Sequence, residues 1–179
     1  MGEVLKGTRW VGHWKDGKMN GMGYEKDGNG VMKRGCLFEN GEMKRVVQEF
    51  DGGKMVEYDE NGKKVYEGEY KGSVEKGFVR EGFGKEFQEG VLKRVCAYRN
   101  GERRRVMQEF NGSDMTEYDE NGKKMYEGGY GGDSVNGFVR NGKGYCYEGN
   151  GSDMKYCVFG GGSVIRVIAV SYTHLRAHE

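Results

Sequence analysis

Apolar and polar residues alternate along this chain in short runs, and turn dipeptides punctuate the runs. Cys36-Leu37-Phe38 leads into Asn40-Gly41, and Arg45–Phe50 leads into Asp51-Gly52. Met55–Tyr58 leads into Asn61-Gly62, and Val65–Tyr70 follows. Period-two alternation bounded by such dipeptides predicts half-buried strands. Asn-Gly and Asp-Gly tolerate the positive φ angles that a tight hairpin requires, so each pair predicts a β-hairpin turn. No stretch keeps a 3.6-residue apolar period with helix caps at its ends. The pattern therefore predicts an all-β protein: an elongated, open antiparallel meander of repeated β-hairpins.

The pattern repeats. Residues 28–87 align with 88–147 without a gap. Asn40-Gly41-Glu42 matches Asn100-Gly101-Glu102, Gln48-Glu49-Phe50 matches Gln108-Glu109-Phe110, and the run EYDENGKK occurs at Glu57–Lys64 and Glu117–Lys124. A fixed period predicts a repeat array. A partial third copy occupies 148–168. Cys157-Val158-Phe159 stands where Cys36-Leu37-Phe38 and Cys96-Ala97-Tyr98 stood, and Val164–Ile168 matches Met43–Val47 and Arg103–Met107. After Ile168 the Gln-Glu-Phe equivalent is replaced by Ala169-Val170-Ser171. The string VSYTHLRAHE from Val170 to Glu179 resembles translated sequencing adapter. The expected organisation is one array over 1–168 and a non-native tail over 169–179, with the natural chain continuing past Ile168.

Within the array, an aromatic, a glycine and an aromatic recur at alternate positions: Trp10-Gly12-Trp14, Tyr66-Gly68-Tyr70 and Tyr126-Gly128-Tyr130. Alternate strand residues share a face. Two rings then flank a bare patch of backbone, and a ring from the neighbouring strand can cover the glycine. Gly68 and Gly128 are expected under such rings, and Gly72 is expected in a turn. A Gly-x-Gly pair follows each motif, at Gly21 and Gly23, Gly82 and Gly84, and Gly142 and Gly144. These glycines suit bulges and close backbone approach.

The combination resembles the MORN repeat (membrane occupation and recognition nexus). Its unit is roughly Tyr-x-Gly-x-Trp/Tyr-x-x-Gly, then Gly-x-Gly, then an aromatic. The Trp10 copy has the family's usual spacing. The other two copies carry extra residues around Phe78-Val79-Arg80 and Phe138-Val139-Arg140. The resemblance implies a non-catalytic intracellular scaffold, cytoplasmic or peripheral at a membrane or the cytoskeleton. It would bind proteins, a second copy of itself through the sheet ends, or anionic membrane lipids. The resemblance also allows a targeting module of an enzyme, such as a lipid kinase or methyltransferase, with its catalytic domain downstream.

Composition narrows the alternatives. The chain has 34 glycines and no proline among 179 residues, and its aromatic share of 12% is too high for a disordered polymer. Its apolar share of 35% suits a thin array in which each unit packs only on its neighbours. A net charge of +1, from 29 basic and 28 acidic residues, argues against nucleic-acid binding. The N-terminus has no apolar signal core, and Lys6 stands where a myristoylation motif needs Ser or Thr.

Candidate chemistry is sparse. Of three histidines, His174 and His178 fall in the suspected adapter, and His13 is expected to face solvent between its flanking rings. Cys36, Cys96, Cys146 and Cys157 form no Cys-x-x-Cys pair, so zinc is not expected and the thiols read as small buried hydrophobes. The acidic runs at Asp59–Gly62 and Asp119–Gly122 lack the spacing of calcium loops and read as turns. Asn111-Gly112-Ser113 and Asn150-Gly151-Ser152 are formal glycosylation sequons that read as turns in an intracellular chain. No cofactor, metal or catalytic residue is expected. One functional cluster remains: Lys33-Arg34, Lys44-Arg45, Lys93-Arg94 and Arg103-Arg104-Arg105 recur in register. In a straight array they would form a basic band able to meet anionic headgroups, at about 1 kcal/mol per basic residue.

Overall fold

The computed structural model describes residues 9–149 and 153–171. Every regular element among them is a β-strand. Fourteen strands follow one another in chain order in one open antiparallel meander. The first seven are β1 (Arg9–Lys15), β2 (Lys18–Lys26), β3 (Met32–Glu39), β4 (Glu42–Asp51), β5 (Lys54–Tyr58), β6 (Lys64–Ser73) and β7 (Gly77–Gln88). The second seven are β8 (Val91–Arg99), β9 (Glu102–Asn111), β10 (Asp114–Tyr118), β11 (Lys124–Asp133), β12 (Gly137–Glu148), β13 (Asp153–Gly160) and β14 (Ser163–Ser171). The all-β expectation is met, and each 60-residue repeat is a set of five strands, β3–β7 and then β8–β12.

Two compact units divide the chain. The first runs through Leu92 and includes Ala97–Arg104; the second comprises Lys93–Cys96 and everything from Arg105 onward. The tip of the β8–β9 hairpin, Ala97–Arg104, thus belongs to the first unit and the rest of both strands from Lys93 to the second. Residues 150–152 and 172–179 lie outside the described residues, and with them one sequon, His174, His178 and most of the suspected adapter. Strand β14 itself extends past Ile168, with Ala169 opposite Tyr156 and Val170 opposite Lys155.

The turns show which dipeptides make hairpins. Asn40 and Gly41 both take positive φ, 52° and 89°, and Asn100 and Gly101 take 55° and 84°. These are the two-residue turns that the right-handed twist of paired strands favours. The turn expected at Asp51-Gly52 lies one residue later. Asp51 stays in β4 opposite Lys54, and Gly52-Gly53 makes the turn at 52° and 84°. Two glycines reach that conformation without the steric cost an aspartate would carry. Asn61-Gly62 is not a two-residue hairpin. Asp59 Oδ1 accepts hydrogen bonds from Asn61 N and Lys63 N, each at 2.9 Å, and closes a longer loop. Asp119 repeats this with Asn121 and Lys123.

Register places the core of the first unit. Trp10 pairs with Glu25, Glu25 with Arg34, and Gly12 with Gly23 and then Cys36. These residues share one face, where Met19, Cys36 and Phe38 are buried against Trp10 and Val46. The next positions along β3 and β4 lead to the other face. Gly35 pairs with Gln48, Gln48 with Glu57, Glu57 with Tyr66, and Tyr66 with Glu86. Arg34 and Gly35 are consecutive strand residues, so they point to opposite faces. Trp10 and its equivalent Tyr66 therefore lie on opposite faces of the same sheet.

Symmetry requires this. A five-strand repeat reverses strand direction from one copy to the next. A rotation that reverses strand direction while keeping the progression across the sheet must also turn the sheet over. The second apolar layer accordingly forms on the Tyr66 face. Phe50, Met55, Tyr66 and Tyr98 are buried there, and Tyr24 reaches Phe78 with ring centroids 5.2 Å apart.

In the second unit Tyr126 pairs with Cys146, and Gly128 pairs with Gly144, which pairs in turn with Cys157. Phe110, Met115, Tyr126, Cys157 and Phe159 are buried. Three rings interlock in each unit at closely matching spacings. Phe50 lies 5.1 Å from Tyr70 and 4.9 Å from Phe78, and Phe110 lies 5.1 Å from Tyr130 and 4.7 Å from Phe138.

Candidate functional site

The glycine motifs serve the backbone. Gly68 pairs with Gly84, and Gly128 with Gly144. The Tyr66 ring reaches from β6 across to β7 over Gly84. A Cβ at Gly84 would sit 2.6 Å from Tyr66 Cζ, and one at Gly144 2.6 Å from Tyr126 Cζ. A Cβ at Gly68 would meet the Gly84 Cα at 2.5 Å and the Tyr66 hydroxyl at 2.6 Å. Each tyrosine hydroxyl is tied down along its own strand, Tyr66 to Glu69 O and Tyr126 to Gly129 O, both at 2.7 Å. The motif's own first ring thus covers the glycine of the following strand, whereas Gly68 and Gly128, expected under a ring from a neighbouring strand, lie against the backbone of Gly84 and Gly144 and opposite Met55 and Met115. Gly72, expected in a turn, lies in β6 opposite Phe78 with φ at 137°, and a Cβ there would overlap the carbonyl oxygen of Gly77. Gly21, Gly82 and Gly142 take positive φ of 93°, 61° and 77° on the strands that follow the motifs. The same register shift follows Gly12, Gly68 and Gly128, and the extra residues of the later copies lengthen the hairpin beyond Tyr70 and Tyr130.

A polar cluster lies against the first ring of each of the two later motifs. Arg80 binds Glu57 with Nε at 2.8 Å and Nη2 at 2.6 Å, and its guanidinium stacks 4.5 Å from the Tyr66 ring centroid. Gln48 donates to Glu57 and to the Phe78 carbonyl, each at 3.4 Å. Arg140 repeats the arrangement, bonding Glu117 at 2.7 Å and stacking 4.9 Å from Tyr126. Gln108 repeats the glutamine, at 3.2 Å from Glu117 and 3.4 Å from the Phe138 carbonyl. Burial opposes the charge on Arg80, but Glu57 outweighs it, so the Arg80 pKa is raised and the group stays cationic. The repeated Gln-Glu-Phe and EYDENGKK runs were the visible signal for Gln48, Glu57 and their equivalents. The partner arginine lies 23 residues further on, beyond local pattern reading.

The candidate basic residues are largely engaged. Lys33 pairs with Asp27 at 3.4 Å and Lys44 with Glu42 at 2.9 Å; Arg34 pairs with Glu25. Arg45 donates to the Asp59 carbonyl at 3.2 Å. Arg94 pairs with Glu109 at 2.6 Å, Arg103 with Glu86 at 2.9 Å and Arg104 with Glu102 at 3.0 Å. Lys93 and Arg105 are half-buried. The expected single band is not what the register builds. Arg34 is aligned with Glu25 and Trp10, whereas Arg103 is bonded to Glu86, across the strand from Tyr66. The two arginines lie on opposite faces of the first unit.

Other groups fall where their chemistry suggests. His13 is exposed. All four cysteines are free thiols; Cys36, Cys96 and Cys157 are buried and Cys146 is half-buried. Burial pushes the Cys36 and Cys146 thiols up. Among the described residues no cluster of three His, Cys, Asp or Glu is arranged to hold a metal ion. Tyr58 donates to Glu49 and Tyr118 to Glu109. Burial and the facing carboxylate push both phenols up to about 12. A notch of about 140 Å³ lies between Phe50, Tyr70, Lys33 and the Gly52-Gly53 turn.

Apolar groups are left bare at several points. On β1, Trp14 is 60% exposed. Phe83 on β7 and Val91 on β8 are exposed, as are Val164, Ile165 and Val167 on β14. No protein-family model matches the chain, and no curated protein matches it.

Proposed function

We propose that this chain is a non-catalytic interaction module whose open sheet binds other proteins. The observation that carries this reading is the contrast between its charged and apolar groups. Charged side chains are mostly satisfied by one another, while aromatic and branched side chains, Trp14, Phe83, Val91 and Val164 among them, stand bare. An open sheet edge offers unpaired backbone donors and acceptors to an extended partner. The resemblance of Trp10–Tyr24, Tyr66–Phe87 and Tyr126–Tyr147 to MORN repeats supports a scaffold role.

Anionic lipid is the less favoured partner. A flat bilayer meets one face of a sheet, and Arg34 and Arg103 point to opposite faces. Pairing with carboxylates also reduces what each arginine offers to a headgroup. Selection from a displayed peptide library should enrich a consensus sequence over a tag-only control; failure to enrich any sequence would contradict the module reading. Sedimentation with phosphatidylserine vesicles at low salt should leave the protein in the supernatant. Salt-sensitive pelleting that weakens when Arg103, Arg104 and Arg105 are all changed to Glu would favour lipid instead.

A further inference from the structure

We propose that the free edge of β1 is a strand-docking site for a partner protein, and that its occupant is an extended segment with apolar side chains at alternate positions. This deepens the interaction-module reading by naming one surface and the chemistry it selects.

The chain contains two occupied versions of the same edge. In the first unit, β5 covers β6, with Met55 opposite Gly68 and Glu57 opposite Tyr66. In the second, β10 covers β11, with Met115 opposite Gly128 and Glu117 opposite Tyr126. Both methionines are fully buried over the glycine of an aromatic-Gly-aromatic motif. Strand β1 carries the same motif as Trp10-Gly12-Trp14, but among the described residues β2 is its one strand neighbour. The consequence is visible at the second ring. Tyr70 packs on Phe50 and Phe78, and Tyr130 on Phe110 and Phe138, whereas Trp14 is 60% exposed.

Differences from the occupied copies define what would fit. The residue that corresponds to Arg80 and Arg140 is Met19. All three accept a hydrogen bond through their carbonyl from the hairpin glycine of the next strand pair, Gly41, Gly101 or Gly162. Arg80 and Arg140 hold the glutamate of the covering strand; Met19 offers it no charge. A carboxylate opposite Trp10 would lack the arginine that Met19 replaces, and the one guanidinium beside that ring, Arg34 at 5.9 Å from its centroid, is already paired with Glu25. The docked strand therefore carries an apolar residue over Gly12 and a second apolar residue opposite Trp10, where the internal strands carry Met and Glu. Arg9, Lys15 and Lys18 are exposed around this edge and favour acidic residues flanking the segment.

The only two tryptophans of the chain, Trp10 and Trp14, both lie on β1, so emission excited selectively at tryptophan reports on this site and not on the twelve tyrosines. The probes are two synthetic peptides built on the β5 sequence Lys-Met-Val-Glu-Tyr with Asp residues at both ends, one with Glu retained and one with Leu in its place. Titration into the whole chain should shift tryptophan emission to the blue. The Leu peptide should bind about tenfold more tightly than the Glu peptide, and Trp14→Lys should abolish both shifts while the circular dichroism of the protein is unchanged. Absence of a shift with either peptide, equal affinities, a shift that survives Trp14→Lys, or a Trp14 already shielded from quencher in the protein alone would each overturn the inference. A library consensus that binds the Trp14→Lys protein as well as the parent, with no binding of these peptides, would overturn this inference and leave the interaction-module reading standing.

Discussion

The Trp10 and Tyr66 copies begin from the same alternating aromatic and glycine positions and end in different environments. Tyr66 is fully buried, bonded through its hydroxyl and stacked beneath Arg80. Trp10 is half-buried and packs edge-on against Phe38 at 5.0 Å. Tyr70 is locked between two phenylalanines, while Trp14 stands in solvent. The local sequence is nearly shared, so the cause is the neighbour. Strand β5 brings Met55 and Glu57, its hairpin partner β4 brings Phe50, and the inserted Phe78, with Arg80 in the place of Met19, completes the enclosure. An aromatic-Gly-aromatic motif is thus half of a packing unit, and the strand before it supplies the other half.

The largest effect should come from removing what the preceding hairpin supplies. Phe50→Ala should cost about 3–5 kcal/mol in urea unfolding, and Phe110→Ala a similar amount, because each opens a three-ring cluster. Trp14→Ala should cost under about 0.5 kcal/mol. Equal losses at Phe50 and Trp14 would erase the contrast.

Next is the cation. Arg80→Met gives the Tyr66 copy the residue of the Trp10 copy and leaves Glu57 without its partner. The expected cost is about 2–4 kcal/mol, at the lower end of buried-pair disruption because both side chains keep some solvent contact. Adding Glu57→Leu should restore most of the loss, a coupling that a double-mutant cycle reads directly.

Gly84→Ala should cost about 1–3 kcal/mol, since the new methyl meets the Tyr66 ring, which Glu69 and Arg80 hold in place. Gly23→Ala should cost less. There the overlap is with the terminal methyl of Met19, which can swing aside, and with one edge of Phe38.

The smallest effect is titration. The pKa of Tyr58 is raised from 10.0 to about 12, so its folded value exceeds its unfolded one. Such a group contributes stability that is fully present below pH 10 and is lost as pH climbs through the folded value. Unfolding midpoints should fall between about pH 10 and 12. Tyr58→Phe and Tyr118→Phe together should lessen that fall, and tyrosinate absorbance should lose two late-titrating phenols while Tyr126, also raised to about 12, remains.

Strands and repeat length were legible because they are local. Alternation marked the strands, and Asn40-Gly41 and Asn100-Gly101 marked their turns to the residue. Asp51-Gly52 misplaced a turn by one residue because Gly53 competes better for positive φ. The polar cluster was half legible: Gln48 and Glu57 lie in repeated runs, but Arg80 looked like an insertion. The distribution of basic residues was not legible at all. It depends on whether a repeat holds an even or an odd number of strands. Asn61-Gly62 resembles a hairpin turn whether β5 counts as a strand or not, and that one short strand decides whether equivalent residues share a face.

The turning over of the sheet between the Trp10 and Tyr66 copies is tested most directly by side-chain NOE spectroscopy on the labelled protein. The expected result is contact of Trp10 with Phe38, together with contacts of Tyr24 with Phe78 and of Phe50 with Tyr70. Contacts from Trp10 or Cys36 to Met55 or Tyr66 would place both copies on one face and contradict the alternation.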